Sequence, residues 1–208
     1  MKISASFLSI KDDIKENISK LTDTDIDLLH LDIMDGKFVT NKTFSIDEIK
    51  EIINYKKPLD IHLMVSDVYK YIDDFKTLKP KYLTIHYEAC DDIMEVISYI
   101  NKLNIKVGLS IKPKTKIEEI VPYLPFIDLV LLMSVEPGKG GQEFIEETVS
   151  KLDKLSSLKG DYLISVDGGI NKDTIKLINK ADIAVVGSYL TNGNYEENLN
   201  KLKESIYG

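Results

Sequence analysis

Short apolar runs alternate with longer amphipathic segments along the whole chain. The runs are rich in Val, Ile and Leu, which suits strands of a parallel sheet that is buried on both faces. Eight such runs occur, at residues 3–8, 27–33, 59–65, 82–88, 106–111, 128–135, 162–168 and 182–188. We therefore interpret each run as one strand of a parallel sheet.

The segments between the apolar runs repeat hydrophobic residues every three or four positions, which is typical of a helix with one buried face. The clearest stripe, within 91–103, consists of Ile93, Val96, Ile97, Ile100 and Leu103. Further helices are predicted near residues 11–22, 45–54, 66–77, 115–124, 142–157, 171–179 and 194–206. Helix N-caps are expected at Asp91, Thr115 and Asn171.

Eight strand–helix pairs in order predict a (β/α)₈ TIM barrel that occupies residues 1–208 as a single domain. An open, doubly wound sheet is the alternative, although such sheets rarely need so regular a count. In a barrel of this kind, the active site lies at the carboxyl ends of the strands. The polar residues at these ends are therefore the candidates for chemistry.

Composition narrows the functional class without naming a function. With 43% hydrophobic and 29% charged residues, the chain is ordinary for a soluble globular protein, and a net charge of −7 argues against a nucleic-acid partner. No uncharged run approaches the roughly 18 residues that a membrane-spanning helix needs. The start of the chain lacks a secretory signal, so we expect a cytoplasmic protein without a membrane partner. The single cysteine, Cys90, excludes an internal disulfide.

Four polar residues interrupt apolar strands near their carboxyl ends. His30 and Asp32 are two positions apart in the second strand, so their side chains share one face. His62 ends the third strand and Asp167 ends the seventh. Two imidazoles and two carboxylates suit a divalent transition metal, most simply zinc, with iron(II), manganese and cobalt as alternatives. We therefore predict that these four residues bind one metal ion.

Other residues near the strand ends have plainer interpretations. His86 is interpreted as a packed residue or as one that supports a metal ligand. Asp35 and Gly36 are expected to shape the loop after the second strand rather than to do chemistry. Three methionines fit either the core or an apolar cap on the site: Met34, Met64 and Met133.

Glycine-rich turns follow the last three strands. SVEPGKGGQ occupies 134–142, DGG occupies 167–169 and GS occupies 187–188. Backbone N–H groups in such turns and at helix N-termini bind phosphate, and barrels often place this site after strands seven and eight. A single glycine most often serves only a tight turn. Three such turns on neighbouring strands indicate a phosphate-binding site.

Six stretches, taken in their order and spacing, resemble the ribulose-phosphate 3-epimerase family over nearly the whole chain. They are ASFLS (5–9), HLDIMDGKFVTN (30–41), LDIHLM (59–64), MSVEPGKGGQ (133–142), SVDGG (165–169) and VGS (186–188). The resemblance implies a metal bound by His30, Asp32, His62 and Asp167, with both aspartates also serving as the acid–base pair. It implies that the substrate is contacted by Ser6 and His62, and that its phosphate is held by Gly138, Lys139, Gly140, Gly141, Gly168, Gly169, Gly187 and Ser188.

The reaction implied by the resemblance converts D-ribulose 5-phosphate to D-xylulose 5-phosphate, a step of pentose phosphate metabolism. Inversion of carbon 3 requires removal of a proton from one face and delivery of a proton to the other, which two carboxylates can perform. A metal ion on the carbonyl and neighbouring hydroxyl oxygens would stabilise the cis-enediolate. The expected partner is a small ketose phosphate, and the resemblance also suggests a homo-oligomer.

Three alternative functions stay open at this point. A D-allulose 6-phosphate 3-epimerase would share the metal residues, but such relatives often carry serine or alanine in the glycine turns. A phosphate-binding barrel lyase or decarboxylase usually places a lysine inside a strand, and the predicted strand interiors have none. A non-enzymatic sugar-phosphate sensor would be expected to lack a metal or acid–base residue. Lys139 replaces an aromatic residue usual in the family's phosphate loop, so the closure of that loop also stays open.

Overall fold

The computed structural model describes residues 1–158 and 160–207. Within this part of the chain, eight parallel strands close into a barrel, each paired with the next in sequence order and the last with the first. The strands are β1 (Lys2–Ser6), β2 (Leu28–Met34), β3 (Leu59–Met64), β4 (Tyr82–His86), β5 (Lys106–Ile111), β6 (Leu129–Met133), β7 (Leu163–Asp167) and β8 (Ile183–Val186). The predicted (β/α)₈ barrel is confirmed, and the open sheet is wrong.

Helical segments follow the strands on the outside of the barrel. The α-helices are α1 (Ile14–Asp23), α2 (Ile46–Ile52), α3 (Val68–Phe75), α4 (Ile93–Asn101), α5 (Ile117–Ile120), α6 (Glu147–Ser157), α7 (Ser188–Thr191) and α8 (Tyr195–Tyr207). Short 3₁₀ helices cover Lys76–Leu78, Tyr87–Ala89, Val121–Phe126 and Thr174–Ile178. Among the described helices, none has both the length and the hydropathy that a membrane crossing needs.

The connection between β7 and β8 differs from its prediction. A helix is expected over 171–179, but only the 3₁₀ segment Thr174–Ile178 forms there. The side chain of Asn171 accepts hydrogen bonds from the backbone N–H groups of Asp173 and Thr174. Such local side-chain bonds offer the backbone an alternative to the helical ladder, so the segment stays short.

Two predicted N-caps are wrong by one position. α4 is capped by Asp92 rather than Asp91, because the Asp92 carboxylate accepts a 3.0 Å hydrogen bond from the backbone N–H of Glu95. The residue that precedes α5 is Lys116 rather than Thr115. The hydroxyl of Thr115 instead donates to Glu88, a contact between two strand ends that local sequence patterns do not reveal.

The two faces of the barrel sheet bury two separate sets of apolar residues. Outward-facing residues such as Ile33 and Leu109 pack with the helices into one continuous core. Inward-facing residues that include Leu28, Leu129 and Ile183 fill the barrel interior. Each fully buried side chain of this size stabilises the fold by roughly 1.5–3 kcal/mol. The interior is thus a packed core, and the active-site candidates lie above it.

The strand register places these candidates side by side. His30 pairs with Asp60, and Asp32 pairs with His62, across β2 and β3. Asp167 pairs with Met133 across β7 and β6. Because side chains alternate between faces, a slip of one residue in this register would turn the polar groups out of the barrel.

Candidate metal centre and active site

The four predicted metal ligands converge at the carboxyl ends of β2, β3 and β7. One ligand atom from each of His30, Asp32, His62 and Asp167 lies within 4.8 Å of every other. Asp32 Oδ1 lies 3.4 Å from both His30 Nε2 and His62 Nδ1. Asp167 Oδ2 lies 3.9 Å from His30 Nε2 and 3.7 Å from His62 Nδ1. Side chains far apart in sequence therefore form one compact cluster.

This cluster fits a divalent cation, because two buried nitrogens face it without a protein partner. Among the described residues, nothing hydrogen-bonds to His30 Nε2 or His62 Nδ1, although both rings are fully buried. A buried polar atom left unpaired costs roughly 1–3 kcal/mol, and a bond to a metal would remove that cost. Two imidazole nitrogens and two carboxylates are a donor set that zinc and related divalent metals accept.

The side chains of the cluster differ strongly in their affinity for protons. Burial favours a higher pKa for Asp32, but the adjacent rings of His30 and His62 hold its pKa well below the ordinary value. Burial and then the neighbouring Asp32 carboxylate raise the pKa of Asp167 to about 6. Burial favours a lower pKa for His30, but the carboxylates of Asp60 and Asp32 raise its pKa well above the ordinary value. The two candidate catalytic carboxylates thus have environments that push their pKa values apart.

Asp60, a residue that sequence reasoning missed, fixes the orientation of His30. Asp60 Oδ2 accepts a 2.8 Å hydrogen bond from His30 Nδ1 and another of 2.8 Å from the hydroxyl of Ser4. With its proton on Nδ1, His30 presents the lone pair of Nε2 to the cluster. The signal for Asp60 was its place two residues before His62 in LDIHLM, which puts both side chains on the inward face.

His86 supports His62 from the side away from the cluster. His86 Nε2 lies 2.9 Å from His62 Nε2, and His86 Nδ1 lies 3.1 Å from Glu88 Oε2. Burial lowers the pKa of His86 to about 4, so its ring is neutral near pH 7. Burial favours a higher pKa for Glu88, but hydrogen bonds from His86, Thr115 and the backbone of Lys112 hold its pKa at about 2. Of the two interpretations of His86, the structure supports the supporting role, while Glu88 was missed.

A cleft opens above the cluster, between the loops at this end of the barrel. It holds about 540 Å³ of space free of protein atoms, part of it open to solvent, which suits a small molecule. Ser6 lines the cleft and donates a 2.7 Å hydrogen bond to Asp32 Oδ2. The strand-end methionines, Met34, Met64 and Met133, line it as well and are buried. They serve as core and as apolar wall of the cleft at once.

The three glycine-rich turns border the same cleft, which is lined by residues 138–141, 168–169 and 187–188. Gly169 has a φ of +63°, and a Cβ there would lie 2.5 Å from the backbone nitrogen of Phe144. The turn after β7 therefore packs directly on the loop after β6, which only glycine allows. Lys139 is exposed at the rim, and its carbonyl accepts a 2.9 Å hydrogen bond from the side chain of Gln142.

Asp35 organises the loop after β2, in agreement with its expected role. Its Oδ1 accepts hydrogen bonds from the backbone N–H groups of Lys37 and Phe38, at 2.8 and 2.9 Å. Its Oδ2 accepts a 2.7 Å hydrogen bond from the backbone N–H of Ser66, which follows β3. Gly36 next to it has a φ of +75°, a conformation that suits glycine.

Comparison with known protein families places this chain. Residues 2–191 match the model of the ribulose-phosphate 3-epimerase family. The chain belongs to the ribulose-phosphate 3-epimerase family. This family consists of isomerases, and the resemblance expected from six sequence stretches is thereby confirmed.

Individual relatives agree with the family match. The chain is 40% identical over 181 residues to the ribulose-phosphate 3-epimerase of Chlamydia pneumoniae, which covers 82% of this chain and 79% of that protein. It is 34% identical over 196 residues to the ribulose-phosphate 3-epimerase of Bacillus subtilis, which covers 89% of this chain and 88% of that protein. Both alignments span most of the barrel.

Solved structures of lower identity show the fold alone. The 3-hexulose-6-phosphate synthase of Salmonella typhimurium superimposes with a TM-score of 0.68 at 15% identity, over 100% of this chain and 99% of that chain. A structure named KGPDC, from Streptococcus mutans, superimposes with a TM-score of 0.73 at 13% identity, over 99% of this chain and 97% of that chain. These barrels share the architecture in which the candidate site is built.

Proposed function

We propose that this chain interconverts D-ribulose 5-phosphate and D-xylulose 5-phosphate by inverting carbon 3. Family membership supports this reaction class, and the intact glycine turns beside the cleft support a phosphorylated substrate. The observation that carries the proposal is the cluster of two carboxylates and two unpartnered imidazole nitrogens beneath a cleft. Such a cluster supplies both the acid–base pair and the site for a divalent cation.

The acid–base chemistry falls to Asp32 and Asp167. One carboxylate takes the proton from carbon 3, the electrons of that bond form the enediolate with the neighbouring carbonyl, and the other carboxyl delivers a proton to the opposite face. The reverse reaction exchanges the two roles. The raised pKa of Asp167 suits a group that holds a proton near neutral pH, while the lowered pKa of Asp32 suits a carboxylate that accepts one. General acid–base catalysis of this kind is commonly worth about 10²–10⁴-fold in rate.

A cation held by His30, Asp32, His62 and Asp167 would supply positive charge where the enediolate oxygens become negative. The donor set favours zinc, and iron(II), manganese or cobalt would also fit it. The chain's own contribution is orientation: the hydroxyl of Ser6 holds one oxygen of Asp32, and Asp60 holds the ring of His30. These bonds fix the reacting groups before substrate arrives, which is the main way in which an enzyme site lowers a barrier.

The remaining parts of the cleft bind and enclose the substrate. Backbone N–H groups of the turns at 138–141, 168–169 and 187–188 are the proposed phosphate ligands, with Lys139 at the rim adding positive charge. The methionine wall excludes water from the side of the sugar that reacts. Exclusion of water protects the enediolate and strengthens the local electrostatic interactions.

The test is proton exchange in D₂O, followed by proton NMR on zinc-supplemented protein with D-ribulose 5-phosphate. We expect the carbon-3 proton signal to disappear while D-xylulose 5-phosphate accumulates. Exchange on D-allulose 6-phosphate, but not on D-ribulose 5-phosphate, would retain the mechanism and replace the substrate. No exchange on either substrate, in protein shown to contain metal, would refute the proposed activity and favour a binding role.

A further inference from the structure

A chain of hydrogen bonds leads from the metal cluster into the wall of the barrel. It starts at His62, whose Nδ1 faces the cluster and whose Nε2 lies 2.9 Å from His86 Nε2. It continues from His86 Nδ1 to Glu88 Oε2 at 3.1 Å. It ends at the loop after β5, where Glu88 Oε1 accepts from the backbone N–H of Lys112 at 2.8 Å and from the hydroxyl of Thr115.

The far end of this chain dictates the direction of every bond in it. An ionised carboxylate has no proton to donate, so His86 must donate from Nδ1 to Glu88. A neutral imidazole with its proton on Nδ1 accepts at Nε2, so His62 must donate from Nε2 to His86. His62 is then left with a lone pair on Nδ1, the atom that faces Asp32 and Asp167.

We propose that Glu88, acting through His86, is a positioning residue that sets the tautomer of His62 and thereby makes His62 Nδ1 available to a divalent cation. The inference rests on the proposed metal site and extends it outward to the loop after β5. A purely steric role for the pair is the competing explanation, because the ring of His86 also packs on Phe38, with 4.9 Å between ring centroids. The two explanations predict opposite orders for two substitutions at Glu88.

Glu88→Gln reverses the direction of the chain. The Lys112 N–H group is a fixed donor, so it attracts the carbonyl oxygen of the glutamine and turns the amide NH₂ toward His86. His86 must then accept at Nδ1 and donate from Nε2, and His62 must accept at Nε2. The proton of His62 is thereby forced onto Nδ1, where it opposes a cation. Glu88→Ala removes the directing group without imposing the wrong direction.

The experiment measures Zn²⁺ affinity by competition with a chromophoric chelator, for the full-length protein and both variants. We expect Glu88→Gln to bind Zn²⁺ about 10–100-fold more weakly than wild type, with Glu88→Ala between them. A steric role predicts the opposite order, since alanine leaves a cavity and glutamine does not. Glu119→Gln is the matched control, because Glu119 also accepts a backbone hydrogen bond, from Lys116, without contacting His86.

Nitrogen-15 NMR reads the tautomers directly in the metal-free proteins, at a pH at which His62 and His86 are neutral. The chain contains 3 histidines, so the imidazole spectrum can be assigned completely. Wild type should show a proton on His62 Nε2, and Glu88→Gln should show it on Nδ1. Unchanged Zn²⁺ affinity, or weakened affinity with an unchanged His62 tautomer, would overturn the inference while leaving the proposed function intact. Wild-type protein that binds no Zn²⁺ would overturn both.

Discussion

Replacement of Gly169 by alanine tests how the phosphate side of the cleft is built. The residue has a φ of +63°, and a Cβ would lie 2.5 Å from the backbone nitrogen and 2.8 Å from the Cα of Phe144. It would also lie 3.0 Å from the carbonyl oxygen of Gln142. All three atoms belong to the backbone, so no side-chain rotation relieves the clash. The loop after β6 must move away from the turn after β7.

The cost has two parts. Left-handed backbone costs alanine about 1–2 kcal/mol, and overpacking against a fixed neighbour typically costs about 1–3 kcal/mol. Gly193 provides the matched control, because its φ is +90° but an added Cβ would meet nothing within 4 Å. Gly193→Ala should therefore lose only the first part. The difference of about 1–3 kcal/mol corresponds to about 2–12 °C in melting temperature for a chain of this length.

The functional consequence follows from the same displacement. The loop after β6 carries Gly138 to Gly141 at the edge of the cleft, so its movement should remove at least one hydrogen bond to the substrate phosphate. A hydrogen bond to a charged group is worth about 1.5–3 kcal/mol, which corresponds to a rise in KM of about tenfold or more. Gly193→Ala should leave KM unchanged.

The assays are thermal unfolding followed by circular dichroism and epimerase kinetics with D-ribulose 5-phosphate. If Gly169→Ala melts at the same temperature as Gly193→Ala and retains the wild-type KM, the two loops do not depend on this close approach. The assignment of the glycine turns to phosphate binding would then lose its structural basis.

Three further predictions concern the cluster and its supports. Asp167→Asn should lower kcat by at least about 100-fold yet still permit deuterium exchange from one epimer in D₂O, with the exposed Asp47→Asn as control; equal exchange from both epimers would contradict opposite-face roles. Because hydrogen bonds lower the pKa of Glu88 from 4.5 to about 2, its contribution to stability should be complete above about pH 4.5 and be lost as the pH falls toward 2. Urea unfolding at several pH values should show a shallower acid-side loss in Glu88→Gln than in wild type, and identical slopes would refute this. Removal of metal by a chelator should abolish epimerase activity and Zn²⁺ should restore it, so activity that persists in protein shown to be metal-free would exclude the proposed role of the cation.

Local patterns determined the architecture and the residue types of the site. Eight buried runs separated by amphipathic segments are enough to predict a barrel, because parallel strands need a crossover between them. The two-residue period of a strand places His30 and Asp32 on one face without any knowledge of the partner strands. The glycine turns at the strand ends could be recognised in the same way, since their backbone requirements are local.

Tertiary structure decided which distant groups meet, because closure of the barrel and the strand register join residues that the chain keeps far apart. Asp60 reaches His30 only through the pairing of β3 with β2, and Glu88 is held by Lys112 and Thr115 only because β5 lies beside β4. That contact also explains why Thr115 does not cap α5. The sequence by itself determined the four metal candidates and the faces of their strands. Only the folded barrel decided their separations, their protonation and the partners that orient them, since each of these depends on atoms contributed by another strand.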